Sequence, residues 1–230
     1  MVTADGTGDG MDGSALRLLL ERPERAPAGL ALIAAKDFRP VYTSAAYHRI
    51  MGKLPPAHAA QRQALLERSV STGQPVRLNG HGGAPGLRVR GGWLDIEHAP
   101  LPGDHGVRLV LELVATAAQD ERPPSMAAVY ASDGTCAYRS PVYASLTGVD
   151  HGGGDPVPSR AVHPEDRGRV EEGWRRSRLM NTPFLARYRL MTAHGHLHWF
   201  AERAEPVYED HTRTIRWYGV LIDAEPPAAG

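Results

Sequence analysis

The sequence has a single cysteine, Cys136, so one chain cannot form a disulfide with itself. That is typical of proteins in a reducing compartment, and we expect a cytoplasmic location. No apolar run approaches the roughly twenty residues that a helix needs to cross a bilayer, so we expect no membrane span. The first residues, MVTADGTGDGMDGS, have neither a positive segment nor an apolar core, and they do not resemble a secretory signal.

An excess of charge is also missing, because 26 basic residues balance 26 acidic ones. A nucleic-acid surface normally shows a basic excess, so we expect no nucleic-acid partner. The motifs of several enzyme classes are absent: there is no phosphate loop, no GxGxxG after a strand, no GxSxG elbow, no CxxC pair and no HExxH. Chemistry of those types is therefore not predicted.

The clearest pattern lies between residues 161 and 223, where a helix is followed by three alternating strands. Pro164 suits the first turn of a helix, where a missing N–H costs nothing, and Glu165 and Asp166 place negative charge at the positive end of the helix dipole. Asn181 begins the segment that ends the helix. Period-two runs joined by short turns indicate an antiparallel meander, and they lie at 184–191, 196–207 and 215–223.

This order of motifs, HPED before a helix and then FLARYRL, HLHWF and RWYGVLID, resembles the C-terminal half of a PAS domain. An internal repeat extends the resemblance, because VYTSAAYHRIMG at 41–52 matches AYRSPVYASLTG at 137–148 in near register. The repeat predicts an α+β fold of two tandem PAS domains, each a five-stranded antiparallel sheet with flanking helices. The predicted divisions are a disordered tail 1–13, a helix 14–26, a first domain 27–116, a linker 117–125, a second domain 126–224 and a disordered end 225–230.

In the first domain we expect two helices before the later strands. Ser44 is in position to cap the first helix, 45–51, with its hydroxyl. The second helix, 57–72, would have an apolar side. The residues assigned to that side are Ala60, Ala64, Leu65 and Val70.

The resemblance implies a pocket between sheet and helices, which in PAS domains holds haem, flavin or small carboxylates. A flavin photosensor needs a reactive cysteine in a helical motif, and Cys136 lies on an early strand instead. Haem b needs an axial ligand, which haem PAS proteins usually supply from the long helix, and His58 is the histidine there in the first domain. Basic residues would pair with its propionates. The candidates are Arg62, Arg88 and Arg90. The alternative is that His58 is a surface histidine at the start of its helix.

For three other polar groups, a structural role explains the residues better than a catalytic or ligand-binding role. The HPED carboxylates fit a helix start, and His163 fits a structural role beside them. The triplet His194, His196 and His198 resembles a metal cluster, but it also fits an ordinary PAS strand. Arg187 and Arg189 would meet an acidic ligand, pair with Glu202 or form surface ion pairs, and we favour surface pairs.

The predicted function is a stand-alone sensor that binds haem or another small ligand, forms a homodimer and signals to a separate protein partner. One alternative is a haem-dependent PAS enzyme, since haem PAS proteins without an output domain break down small nitramines such as N-nitroglycine with release of nitrite. A second alternative is a ligand-free dimerisation scaffold, which would pair through the N-terminal helix and the outer sheet face.

Overall fold

The computed structural model describes residues 28–52, 58–78, 87–89, 92–103, 106–117, 125–149, 160–209, 214–224 and 226. The expected tail 1–13, the helix 14–26, most of the linker 117–125 and nearly all of the end 225–230 lie outside these residues. The described chain forms two antiparallel sheets with flanking helices, which confirms the predicted α+β fold.

The first domain is a sheet with two helices on one face. Its strands run in the order β2-β1-β6-β5-β3, and a short sixth strand beyond the predicted five, β4, pairs with β5. The elements are β1 (Ala28–Ala34), β2 (Pro40–Thr43), α1 (Ala45–Met51), α2 (Ala59–Thr72), β3 (Val76–Leu78), β4 (Leu87–Val89), β5 (Gly92–Gly103) and β6 (Gly106–Ala117).

The second domain repeats this plan with a longer second helix. Its strands run in the order β8-β7-β11-β10-β9, so the strand that enters the domain and the strand that leaves it are neighbours, as in the first sheet. The elements are β7 (Met126–Tyr130), β8 (Cys136–Arg139), α3 (Pro141–Thr147), α4 (Pro164–Met180), β9 (Phe184–Met191), β10 (Leu197–Glu209) and β11 (Thr214–Asp223).

Hydrogen bonds connect the start of α4 to strand β9, through the carboxylate of Asp166. His163 occupies the N-cap position, and its Nδ1 accepts a hydrogen bond from the Glu165 N–H. The nearly buried Asp166 accepts hydrogen bonds from the backbone N–H and from Nε of Arg189, both at 2.9 Å. Arg189 therefore forms the surface ion pair we favoured. Its alternative partner, Glu202, lies on the opposite face of the sheet, so that pairing is wrong.

Two predictions about the first-domain helices need correction. The Ser44 hydroxyl does not cap α1, because it accepts a hydrogen bond from the Leu30 N–H at 3.0 Å and so ties the helix start to β1. On α2, Ala60 and Ala64 are exposed, whereas Leu66 is fully buried. The other two predicted residues, Leu65 and Val70, are partly buried and pack against the core, so the prediction is right for them. The helix is thus rotated partway from the predicted orientation, because a leucine loses more apolar surface on burial than an alanine does.

The two domains pack with the outer faces of their sheets together. Alternation along β1 and β6 turns Leu30, Leu32 and Leu111 away from the helices of the first domain. They join one apolar cluster with outward-facing residues of the second sheet, of which Tyr218 and Val220 are examples. The outer faces that we expected to be available to a second subunit are thus covered, at least in part, within the chain.

The interface also contains a hydrogen bond. The Tyr138 hydroxyl on β8 donates to Glu97 on β5 at 2.8 Å, and Glu97 is 3% exposed. Burial raises the pKa of the Glu97 carboxyl, although Tyr138 and Arg77 act in the opposite direction. No helix within the described residues is long and apolar enough to cross a membrane.

Candidate functional site

The interior of the first domain holds a charged residue in the middle of an apolar strand. Strand β6 reads LVLELVA over residues 109–115, and Glu112 faces the helices between Ala31 of β1 and His98 of β5. Glu112 and His98 are both 0% exposed. Burying a carboxylate is costly unless it is paired and hydrogen-bonded, so its surroundings must supply partners.

Three side chains supply those partners. From α2, Arg62 donates through Nε to one oxygen of Glu112 at 2.5 Å and through a terminal nitrogen to the other at 2.6 Å. From α1, the Tyr47 hydroxyl donates at 2.6 Å, and from β5 the Nε2 of His98 lies 3.0 Å away. We refer to Tyr47, Arg62, His98 and Glu112 as the interior network.

The network keeps Glu112 ionised. Burial by itself would raise the pKa of this carboxyl, but the hydrogen bonds and charges of His98 and Arg62 outweigh burial and lower the pKa to about 2. Burial and the adjacent carboxylate raise the pKa of the Tyr47 hydroxyl, so Tyr47 stays a hydrogen-bond donor at neutral pH. The site therefore presents a fixed anion held by neutral and cationic donors.

One atom of the network is left without a partner. An ionised carboxylate only accepts hydrogen bonds, so His98 must direct a protonated Nε2 toward Glu112. The Nδ1 of His98 is buried and has no hydrogen-bond partner among the described residues. A buried polar atom without a partner costs about 1–3 kcal/mol, which a bound water or ligand would recover.

The second domain also has a buried carboxylate, on the strand that corresponds to β5 and not to β6. Glu202, on β10, accepts hydrogen bonds from the hydroxyls of Tyr130 and Tyr188, the latter at 2.6 Å. Burial raises the pKa of Glu202, although both tyrosine hydrogen bonds act to lower it. The nearby charge of Arg139 also lowers the pKa of Glu202.

Aromatic rings occupy the space between α4 and the second sheet. The ring of Trp174 has its centroid 4.7 Å from that of Tyr130, 5.1 Å from that of Phe184 and 5.5 Å from that of Trp217. All four side chains are buried. The second interior is thus a packed core, and the first is the better candidate for binding.

The residues predicted to bind haem do not come together at one site among the described residues. His58 lies at the N-cap position of α2, partly buried, and its Nδ1 has no hydrogen-bond partner among the described residues. Arg62 belongs to the interior network. The side chain of Arg88 and the whole of Arg90 lie outside the described residues.

These positions fit a haem only in part. The free nitrogen of His58 suits an iron ligand. The guanidinium of Arg62 does not suit a propionate, because both oxygens of Glu112 already occupy it. The alanines Ala59 and Ala60 beside His58 are exposed, so their small size leaves no space in the interior. Haem binding stays a prediction.

The remaining candidates form no site. His194 and His196 are exposed, and the described residues contain no group of three or more metal-ligating side chains. Arg187 packs over the ring of Trp199 on the outer face, with its guanidinium carbon 5.4 Å from the ring centroid. Sequence reasoning missed Glu112 and His98, although a lone glutamate inside an apolar strand was a visible signal.

Comparison with known proteins supports the fold. Residues 143–221, about a third of the chain, match the family model described as the PAS fold. The matched residues of the second domain therefore have the PAS fold, and the first domain repeats the layout of the second. A curated relative, the uncharacterized protein y4lL of Sinorhizobium fredii, is 31% identical over 67 residues. The match covers 29% of this chain and only 8% of the relative's length.

Solved structures with a similar fold are more distant. A sensory box histidine kinase/response regulator from Burkholderia thailandensis is 19% identical over 43% of this chain and 76% of that chain, with a TM-score of 0.34. The N-terminal domain of a diguanylate cyclase with PAS/PAC sensor from Marinobacter aquaeolei is 19% identical over 44% of this chain and 94% of that chain, with a TM-score of 0.35. An RNA-binding light-oxygen-voltage receptor is 13% identical over 85% of this chain and 95% of that chain, with a TM-score of 0.33. Similarity at this level carries no information about function.

Proposed function

We propose that the chain is a ligand-responsive sensory module that takes a small polar ligand in its first domain. The observation that carries the proposal is the buried Nδ1 of His98, which lacks a partner among the described residues and lies in the same imidazole that binds Glu112. Because Nε2 donates to the carboxylate, Nδ1 is the ring nitrogen that is left to meet a ligand. A polar group of the ligand would complete its hydrogen bonding.

The response would pass along strand β5. His98 faces the interior network, and its neighbour Glu97 faces the second domain, where it binds the hydroxyl of Tyr138. A ligand that moves His98 therefore acts on the same short piece of backbone that holds the interface. A separate protein would read the change in domain contact.

The test compares the same substitution, histidine to glutamine, at a buried and at an exposed position. The full chain is purified from its expression host and examined by native and denaturing mass spectrometry. His98→Gln keeps an amide donor for Glu112 but removes the ring nitrogen Nδ1, and His194→Gln makes the same change at an exposed site. We expect a noncovalent adduct in the wild type and in His194→Gln that is lost in His98→Gln.

Two results would contradict the proposal. One is an adduct that survives in His98→Gln unchanged. The other is a wild-type chain that carries no adduct and whose melting temperature does not respond to any member of a library of small polar molecules.

Haem at His58 is the second candidate, supported by the Nδ1 of His58, which has no hydrogen-bond partner in the part of the chain that the structure describes. A bound reduced haem would supply electron density to a nitro group, which is the chemistry required of a nitramine lyase. The test is the absorption spectrum of the chain expressed with haem supplied. A Soret band lost in His58→Ala supports haem binding, and no band in the wild type removes both the haem sensor and the haem enzyme. If a band is present, failure to release nitrite from N-nitroglycine under reducing conditions removes the enzyme alone.

A ligand-free scaffold, a homodimer and a cytoplasmic location also stay predictions. Light scattering of the eluting protein at micromolar concentration tests the dimer. A monomer at all concentrations would remove the scaffold alternative, because that function depends on pairing.

A further inference from the structure

A cleft lies between the two domains, away from the interior network. Its volume is about 130 Å³, and both domains line it. The first domain contributes the start of β1 and the corner between β2 and α1, including Ala28, Tyr42 and Ala45. The second domain contributes the outer faces of β10 and β11.

The wall from the second domain consists of two adjacent cross-strand pairs. Arg203 lies opposite Val220, and Glu205 lies opposite Tyr218. Since side chains alternate along a strand, all four project from the outer face. The wall thus has an apolar half on β11 and a charged half on β10.

The charged half carries both signs at the mouth of the cleft. Arg203 and Glu205 form an ion pair whose side chains are 19% and 26% exposed. Burial and the Glu205 carboxylate raise the pKa of Tyr42 to about 12, although Arg203 acts in the opposite direction, so a phenolic hydroxyl stands near the pair at neutral pH. A cation, an anion and a neutral hydroxyl therefore border one small apolar space.

We infer that this cleft binds a small zwitterion, an α-amino acid with a short aliphatic side chain. The ligand would replace the ion pair between Arg203 and Glu205 with two pairs of its own. Its carboxylate would pair with Arg203 and its ammonium group with Glu205, while the aliphatic group enters between Ala28 and Val220. A ligand with only one charge would place that charge beside the like-charged member of the pair. The size is suitable for a group of this kind, because a cavity of roughly 150 Å³ holds one benzene molecule.

Binding here would act on the contact between the domains. The ligand touches residues of both domains, so it stabilises the packed arrangement and not the separated one. The inference is independent of the ligand proposed for the interior network, because the two sites share no lining residue.

The experiment follows the methyl resonances of the full chain during titration with L-valine. Two analogues each lack one charge: isobutylamine has no carboxylate, and 3-methylbutanoate has no ammonium group. Ala45→Leu fills the cleft from an exposed position on α1, so it does not disturb the core. Ala64→Leu adds the same atoms at an exposed position of α2 and is the matched control.

We expect L-valine to shift the methyl signals of Ala28, Leu30 and Val220 in the wild type and in Ala64→Leu, and not in Ala45→Leu. Arg203→Gln and Glu205→Gln should each weaken binding by about tenfold or more, because each removes one of the two charges that pair with the ligand. Both analogues should bind more weakly than L-valine by a similar factor.

Three outcomes overturn the inference. The first is no shift with L-valine at saturating concentration, and the second is a shift that persists in Ala45→Leu. The third is equal affinity for the three probes, which would mean that only the apolar group is recognised. None of these results bears on His98, so failure here is distinguishable from failure of the proposed function.

Discussion

At the scale of single residues, Glu112 is a buried anion whose charge is held by its neighbours. Arg62 contacts both of its oxygens, and Tyr47 and His98 bind it from two other elements. A buried ion pair that loses one partner is costly, because the remaining charge has neither water nor a counter-ion. Glu112 is thus the residue on which the geometry of the interior network depends.

We therefore predict that Glu112→Gln lowers the free energy of unfolding by about 3–5 kcal/mol at neutral pH. Chemical denaturation followed by tryptophan fluorescence measures the change. The control is Glu67→Gln, an exposed α2 residue that binds Gln63, which should change stability by less than about 0.5 kcal/mol. Equal effects of the two substitutions would contradict the assignment of a charged network.

The pH dependence of that difference follows from the pKa of Glu112. The folded-state pKa, about 2, lies below the ordinary value of 4.5, so the stabilisation is complete above pH 4.5 and is lost as the pH falls toward 2. The gap in stability between the wild type and Glu112→Gln should narrow over the same range. A gap that is independent of pH would show that the substitution acts through packing alone.

At the scale of elements, close backbone contact sets the position of α1. Gly29 on β1 lies under the helix, and a Cβ placed there would stand 2.4 Å from the backbone nitrogen of Tyr47. The neighbouring atoms belong to the backbone, so a side-chain rotation cannot relieve the contact. Any residue larger than glycine would displace α1, and with it the hydroxyl of Tyr47 that binds Glu112.

We predict that Gly29→Ala destabilises the protein by about 1–3 kcal/mol or more, as overpacking of a core does. The same substitution at Gly168 is the matched control. A Cβ at Gly168 would meet nothing within 4 Å, and alanine favours a helix interior over glycine by about 0.5–1 kcal/mol. Thermal unfolding should therefore shift in opposite directions for the two variants, and a shift in the same direction would contradict the packing of α1 on β1.

At the scale of the whole molecule, two similar domains are joined through the faces that their helices leave free. Apolar side chains dominate the contact, and the hydrogen bond from Tyr138 to Glu97 adds a buried polar contact to it. Burial raises the pKa of Glu97. A raised folded-state pKa means that this group favours the folded state at low pH, and that the benefit is lost as the pH rises through the ordinary value of 4.5 toward the folded value.

We predict that Tyr138→Phe weakens the packing of the domains by about 1–3 kcal/mol at neutral pH, because Glu97 loses a donor while remaining buried. Hydrogen exchange should become faster in β1 and β11, which contact each other across the interface. Tyr208→Phe is the control, since Tyr208 lies on the same sheet and is 57% exposed. Unchanged exchange in β1 and β11 of Tyr138→Phe would contradict the role of this hydrogen bond.

Much of the architecture follows from local patterns in the sequence. Three such patterns depend only on neighbours along the chain: the alternation in FLARYRL, the proline and carboxylates in the first turn of α4, and the tyrosine, serine and glycine that recur in two segments. Such neighbours restrict the backbone directly, so the two antiparallel sheets were predictable. Two details of these domains were not predictable from the sequence: the rotation of α2 and the contact of Ser44 with Leu30. Each depends on a strand that is distant along the chain.

The candidate site was decided by tertiary structure. Arg62 was visible in the sequence as a basic residue of a long helix, but its partner Glu112 lies fifty positions further along the chain. Strand order brings Glu112 beside His98, and burial makes that contact strong by removing the water that would compete for it. The sequence by itself thus determined the elements and their repetition, whereas only the packed structure decided which charges face each other.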